Sequence, residues 1–234
     1  MRFVVAIVKL SVAIEAEAKA LALDMGSTPY ETKLKLAGGV PAIVLSTADE
    51  VAARTLAATI TKRGSRAIVV NASAITPIDK MIRIRSFRFE PTGLATDDDE
   101  LPWSDISALV AARYRSSHDT VEVTKQKKFD PVRAIASGGL VMRSTKTKET
   151  VTHHESSEQV LYMFRASGDT PWILREQGTN YSGLGPAAAA TANLNIGIAT
   201  SEIRTRSKAR FDDSLLRRHG VTDVDLYAYL ICAS

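Results

Sequence analysis

MRFVVAIVKL (1–10), VAIEAEAKALALDM (12–25), STPYETKLKLAGG (27–39), PAIVLST (41–47), ADEVAARTLAATITKRG (48–64) and SRAIVVNAS (65–73) decide the fold of this chain. The first, fourth and sixth segments are short apolar runs of strand length, and the others carry helical spacing between start and stop signals. In 12–25 the residues Val12, Ala16, Ala20 and Leu23 form an apolar stripe, with Glu15 and Lys19 as an i,i+4 pair beside it. Gly26 stops that helix in the manner of a left-handed cap. Ser27 or Thr28 caps the next, with Pro29 just inside and Glu31 placed to complete a capping box on Thr28. Gly38-Gly39 ends it, and Pro41 opens a strand at a first position, where no ladder bond is lost. Thr47 and Glu50 make a second capping box, and Leu56 and Ile60, with Val51 or Ala52, supply the buried side of the third helix before Gly64. The order is β-α-α-β-α-β, with helices on one face of a three-stranded sheet.

These residues resemble a known pattern. The strand Val4–Val8, the exit Leu23-Asp24-Met25-Gly26 and the helix Pro29–Leu36 with Ala37-Gly38-Gly39 carry the likeness. So do Pro41–Leu45, the helix start Ala48-Asp49-Glu50-Val51-Ala52 and Lys62-Arg63-Gly64. Together, residues 1–75 resemble the C-terminal domain of the bacterial ribosomal stalk protein and the related fold of the ClpS adaptor. The resemblance implies a docking domain. The stalk family recruits translation factors through lysines on its paired helices, where this chain has Lys19, Lys33 and Lys35. The acidic and Asn/Asp residues with which the adaptor family holds a free amino terminus have no counterpart here.

Ser73–Lys80 changes composition and reads as a junction between residues 1–75 and a β-rich domain, 82–234. In MIRIRSFRFE (81–90), Ile82 and Ile84 alternate with Arg83 and Arg85, and Phe87 and Phe89 follow a parity shift at Ser86. Gly93 turns the chain, and the acid run Asp97–Glu100 reads as a solvated hairpin tip. Trp103-Ser104-Asp105-Ile106 closes one strand and opens the next; with the hairpin before it, this phrase resembles bacterial pleckstrin-homology-like domains over 82–175. Val160, Tyr162 and Phe164 alternate with Leu161 and Met163 as in a strand buried on both sides. Trp172–Arg175 is another strand. A helix is expected from Ala187–Ala190 to Ile203, then an amphipathic basic stretch 204–216, and DVDLYAYLICA as a last strand or short helix. The expected fold class is α+β: an N-terminal βααβαβ domain, then an antiparallel, barrel-like β-rich domain with C-terminal helices.

No catalytic constellation emerges. There is no nucleophile elbow, phosphate loop or dinucleotide fingerprint. His153 and His154 are adjacent, so in a strand they point to opposite faces and suit an exposed edge better than a metal. His118-Asp119 reads as a polar turn, His219 as a helix C-terminal residue, and Asn180–Gly185 as a turn before a helix, since Pro186 removes a donor that an anion cradle would use. No catalytic residue, metal or cofactor is expected, and the chain reads as a non-enzymatic adaptor with a protein partner.

Basic residues offer the alternative reading, binding to nucleic acid or another anionic surface. The net charge is only +4, but Arg83 and Arg85, Lys125 and Lys127, and Lys146 and Lys148 sit at strand spacing two and so share faces. With Lys33 and Lys35 they are the candidate anion or partner surface. The single cysteine, Cys232, reads as a tail thiol that cannot form an internal disulfide. It fits a cytoplasmic location, as does an N-terminus without a secretory pattern. No run is long enough to span a bilayer, and open sheet edges make a homodimer possible.

Overall fold

In the computed structural model, residues 1–129, 143–218 and 221–234 are described, the side chains of 116–156 excepted. The chain is an α+β protein. Met1–Tyr114 and Glu158–Ser234 form one compact unit, and Arg115–Ser157 a second.

The chain opens with β1 (Phe3–Lys9), α1 (Ile14–Met25), α2 (Pro29–Ala37), β2 (Ala42–Thr47), α3 (Glu50–Lys62) and β3 (Arg66–Asn71). β1 lies between β2 and β3 and is antiparallel to both. The local signals explain most boundaries. Gly26 adopts φ 63° and ends α1, and Thr28 and Glu31 form the reciprocal capping box of α2. At α3 the cap is Asp49, whose side chain accepts the N–H of Ala52, while Thr47 serves the N–H of Asp49. The expected Thr47–Glu50 box is therefore displaced by the better-placed carboxylate. Val5, Ile7 and Val44 meet Leu21, Leu36, Ala53, Leu56 and Ile60 under the three helices.

Ser73–Lys80, the expected junction, forms two short 3-10 turns, Ala72–Ala74 and Ile78–Lys80, inside the first compact unit. β4 (Ile82–Ile84) then leads to β5 (Arg88–Phe89), β6 (Gly93–Ala95) and β7 (Glu100–Pro102). The parity shift at Ser86 is a change of sheet: β4 joins one sheet, while β5, β6 and β7 form a separate antiparallel one. The acid run makes the β6–β7 turn, closed by the Asp99 carbonyl, which accepts the Thr96 N–H at 2.8 Å.

The larger sheet contains β8 (Ile106–Phe129), β9 (Arg143–Arg165), β10 (Trp172–Arg175) and β11 (Arg210–Asp212), in the order β11-β8-β9-β10-β4. It is mixed rather than antiparallel, because β4 runs parallel to β10 and β11 parallel to β8. β11 and β4 end the sheet, so the expected barrel-like closure is replaced by an open order. Alternation identifies strands but carries neither direction nor closure. Val160–Phe164 are all buried, as two-sided packing requires.

α4 (Ala192–Ser207) begins later than expected, at a Thr191 cap, because 181–187 is a 3-10 turn. Gly183 is required in that turn: a Cβ there would lie 1.9 Å from the carbonyl oxygen of Phe87. α4 buries Ile196, Ala199 and Ile203 against one face of the five-stranded sheet, alongside Trp103 and Trp172. After β11 come the single turn α5 (Ser214–Arg217) and α6 (Val224–Cys232).

α6 carries apolar residues on more than one side because it is covered on two sides. Its Val224, Ala228 and Ile231 pack on the other face of the larger sheet. Leu226 and Leu230, one turn apart, pack on Val4 and Ala6, on the face of the N-terminal sheet opposite its helices. Polar contacts hold it there. Asp225 accepts from the Tyr162 hydroxyl (2.7 Å) and the Ile78 N–H (2.9 Å), and Asp223 pairs with Arg2 at 2.9 Å. Arg218 reaches the carbonyls of Pro41 and Gly39 and stacks over Tyr227.

Candidate functional site: the outer face of the helical hairpin

α1 and α2 form an antiparallel hairpin whose alignment is fixed by two bonds. The Thr32 hydroxyl donates to the Ala18 carbonyl at 2.7 Å, and Lys33 pairs with Glu15 at 2.9 Å. That pairing holds the Glu15 carboxyl below the usual carboxylate range, first through the side-chain hydrogen bond from Lys33.

Beneath α1 lies a buried polar network. Glu17 is 1% exposed and accepts from the Arg63 guanidinium (2.8 Å) and the Ser65 hydroxyl (2.9 Å). Arg63 also pairs with Asp24 at 2.5 Å, so both ends of α1 are tied to the close of α3. A buried carboxylate is tolerable only when paired and hydrogen-bonded in this way.

The network sets the rotation of α1, and it differs from the sequence expectation. The buried face is Glu17, Ala18, Leu21 and Ala22, with Ile14 and Met25 partly buried beside it. The expected stripe lies on the other side: Val12, Ala16 and Leu23 are exposed, and Leu23 is 87% exposed. Lys33, not Lys19, is the partner of Glu15. On α3 likewise, Val51 and Ala52 face outward, and Ala53 and Ala57 join Leu56 and Ile60 in the core.

The outer face of the hairpin therefore presents Ala16, Lys19 and Leu23 from α1 and Tyr30, Lys33, Leu34 and Ala37 from α2. Within each helix these positions are three or four residues apart and lie on one side. Tyr30 is 71% exposed and Leu34 57%. Large apolar side chains grouped on a rigid, solvent-facing surface are a common mark of protein contact. Leu23, Tyr30 and Leu34 were missing from the sequence-derived candidates. The alternative stripe at 14, 18, 21 and 25 would have revealed Leu23 as the residue left outside.

The other sequence candidates fall into separate places. Lys35 turns away from the outer face and donates to the Val44 carbonyl at 2.9 Å. Arg83 and Arg85 are exposed and border a cleft of about 210 Å³ that Asp97, Asp98 and Asp99 also line. Arg83 donates to the Gln177 carbonyl at 3.0 Å, and Asp97 accepts from Ser86 at 2.5 Å and lies 3.6 Å from Arg88. The field in this cleft is mixed. Lys125 and Lys127 lie on β8 and Lys146 and Lys148 on β9; their side chains lie outside the described residues, as do those of His118, His153, His154 and His219.

A second cavity, of about 560 Å³, is lined by Phe164, Arg165, Asp169, Tyr229 and Cys232 among others. Arg165 is paired there with Asp105 at 2.6 Å and Asp169 at 3.4 Å. The N–H of Ser167 and then Arg165 hold the Asp105 carboxyl below its ordinary range. Burial pushes the Cys232 thiol up, against the pull of Arg210, so it stays protonated at neutral pH. Among the described residues, no group of three or more His, Cys, Asp and Glu is arranged to hold a metal ion, and no helix is long and apolar enough to cross a membrane.

No family model, curated protein or solved structure matches this chain.

Proposed function

We propose that this chain is a non-enzymatic adaptor that captures a protein partner on the outer face of the α1–α2 hairpin. The observation that carries this reading is the exposure of Leu23, Tyr30 and Leu34 on a hairpin whose α1 is clamped by the Glu17–Arg63–Asp24 network and whose α2 is bonded to α1 through Thr32 and Lys33. A rigid platform binds with little ordering cost, and an exposed tyrosine flanked by aliphatic side chains is the composition of an interface anchor. Lys19 and the Lys33–Glu15 pair border the apolar group, which suits an amphipathic partner segment with acidic residues at its margin.

The experiment is affinity capture from the native cell with the full chain, comparing the unaltered protein with Tyr30→Asp, Leu34→Asp and a Val51→Asp control. Val51 is just as exposed but belongs to α3. The first two substitutions should lower recovery of the specific partner by about tenfold or more, and the control should not. Equal recovery in all four samples would refute the assignment of the face.

A further inference from the structure

The N-terminal sheet ends in two edges that differ in kind. At the β2 edge, Val44 has no partner on β1, and its carbonyl already accepts from Lys35. The β3 edge carries Ala67, Ile68, Val69 and Val70, a run without charge or proline. Each of the four is partly exposed.

The ladder shows which backbone groups of β3 are committed. Val4 faces Val70 and Ala6 faces Ile68 in an unbroken register, and the N–H of Ala72 donates to the Arg2 carbonyl at 2.7 Å. In an antiparallel pair, hydrogen-bonded and non-hydrogen-bonded pairs alternate. The bonded pairs are therefore Arg2–Ala72, Val4–Val70 and Ala6–Ile68. The N–H and C=O groups of Ala67, Val69 and Asn71 point away from β1, and β3 has no second strand neighbour among the described residues.

We propose that this edge is a self-association surface, and that two copies of the chain pair β3 with β3 in antiparallel fashion about a two-fold axis at Val69. The edge is self-complementary. With Val69 facing Val69, Ala67 faces Asn71 and the outward groups of the two strands meet in register. Arg66 faces Ala72, so no like charges oppose one another across the axis. Directly opposed residues share a face, which puts the two helical layers on one side of a continuous six-stranded sheet, β2-β1-β3-β3-β1-β2. Pairing also removes the hazard of an open apolar edge. The occupant is a second copy because the register is matched by the strand's own sequence, and the hairpin face of the proposed adaptor function has no part in it.

The test is amide hydrogen exchange on the full chain over a dilution series, with mass measured by light scattering at each concentration. The expected result is a two-chain mass at high concentration. The amides of Ala67, Val69 and Asn71 become protected as the dimer forms, while those of Ile68 and Val70 are protected at every concentration. Val69→Pro deletes an N–H that only the partner strand uses, and an edge position tolerates proline there. It should weaken dimerisation by about tenfold or more. A single-chain mass at all concentrations would overturn the proposal, as would a dimer in which those three amides exchange freely. If Val69→Pro fails to fold, the exchange pattern of the unaltered chain decides.

Discussion

Two leucines on α1, two residues apart, should respond oppositely to the same substitution. Leu21 is fully buried among Leu36, Ala53 and Ile60, and Leu23 is 87% exposed. Leu21→Ala removes three carbons from a packed core and leaves a cavity, which costs about 2.7–5 kcal/mol. For a chain of this size, each kcal/mol lowers the melting temperature by about 2–4 °C, so the expected loss is on the order of 5–20 °C. Leu23→Ala removes atoms that already face water and slightly improves helix propensity, so its effect should stay within about 0.5 kcal/mol. Urea denaturation of the full chain, followed by far-UV circular dichroism, measures both on one scale. If the two variants lose equal stability, or if Leu23→Ala is the more damaging, the rotation of α1 is wrong. The outer face of the hairpin would then have to be redrawn.

Two further outcomes test the support beneath the hairpin and the seating of α6. Glu17→Ala should cost about 2 kcal/mol, below the 3–5 kcal/mol of a broken buried pair, because Arg63 keeps Asp24 and part of its hydration. Arg63→Ala should cost more in the same urea assay, since it strands the buried Glu17 carboxylate; equal costs would count against the network. Asp225 supplies a pH signature. Burial first of all raises its pKa from the ordinary 3.8, against the hydrogen bonds from Tyr162 and Ile78. A raised pKa means its contribution to stability is fully present below that ordinary value and is lost as pH rises through the folded-state value. Asp225→Asn cannot ionise, so its stability relative to the unaltered chain should improve from about pH 4 to pH 7. A difference that stays constant over that range would refute the assignment.

The N-terminal elements were legible because their boundaries are written in local chemistry. Thr28 and Glu31 around Pro29, the left-handed Gly26 and the Gly38-Gly39 stop act within a few residues and need no tertiary help. Helix rotation was not legible in the same way. Alanines at 13, 16, 18, 20 and 22 make α1 apolar on nearly every side, and the true buried stripe includes Glu17, a residue that pattern reading assigns to solvent. Only the arrival of Arg63 and Ser65 from the far end of α3 makes that burial affordable. Long-range pairing was hidden for a related reason. β11 is three residues long and its partner β8 lies about a hundred positions earlier, so nothing local marks Arg210–Asp212 as a strand. The closing segment was ambiguous between strand and helix because both sides of α6 are covered, which erases the amphipathic period.

The claim that the hairpin's outer face captures a protein partner is tested most directly by site-specific photocrosslinking in the native cell. A photoreactive phenylalanine analogue would replace Tyr30 in the full chain, with a second copy of the experiment at Val51. Both positions are more than two-thirds exposed, so both see solvent and passing proteins equally. A discrete crosslinked adduct is expected from position 30, absent from position 51 and lost when Leu34→Asp is added. No adduct at position 30, or the same adduct from both positions, would contradict it.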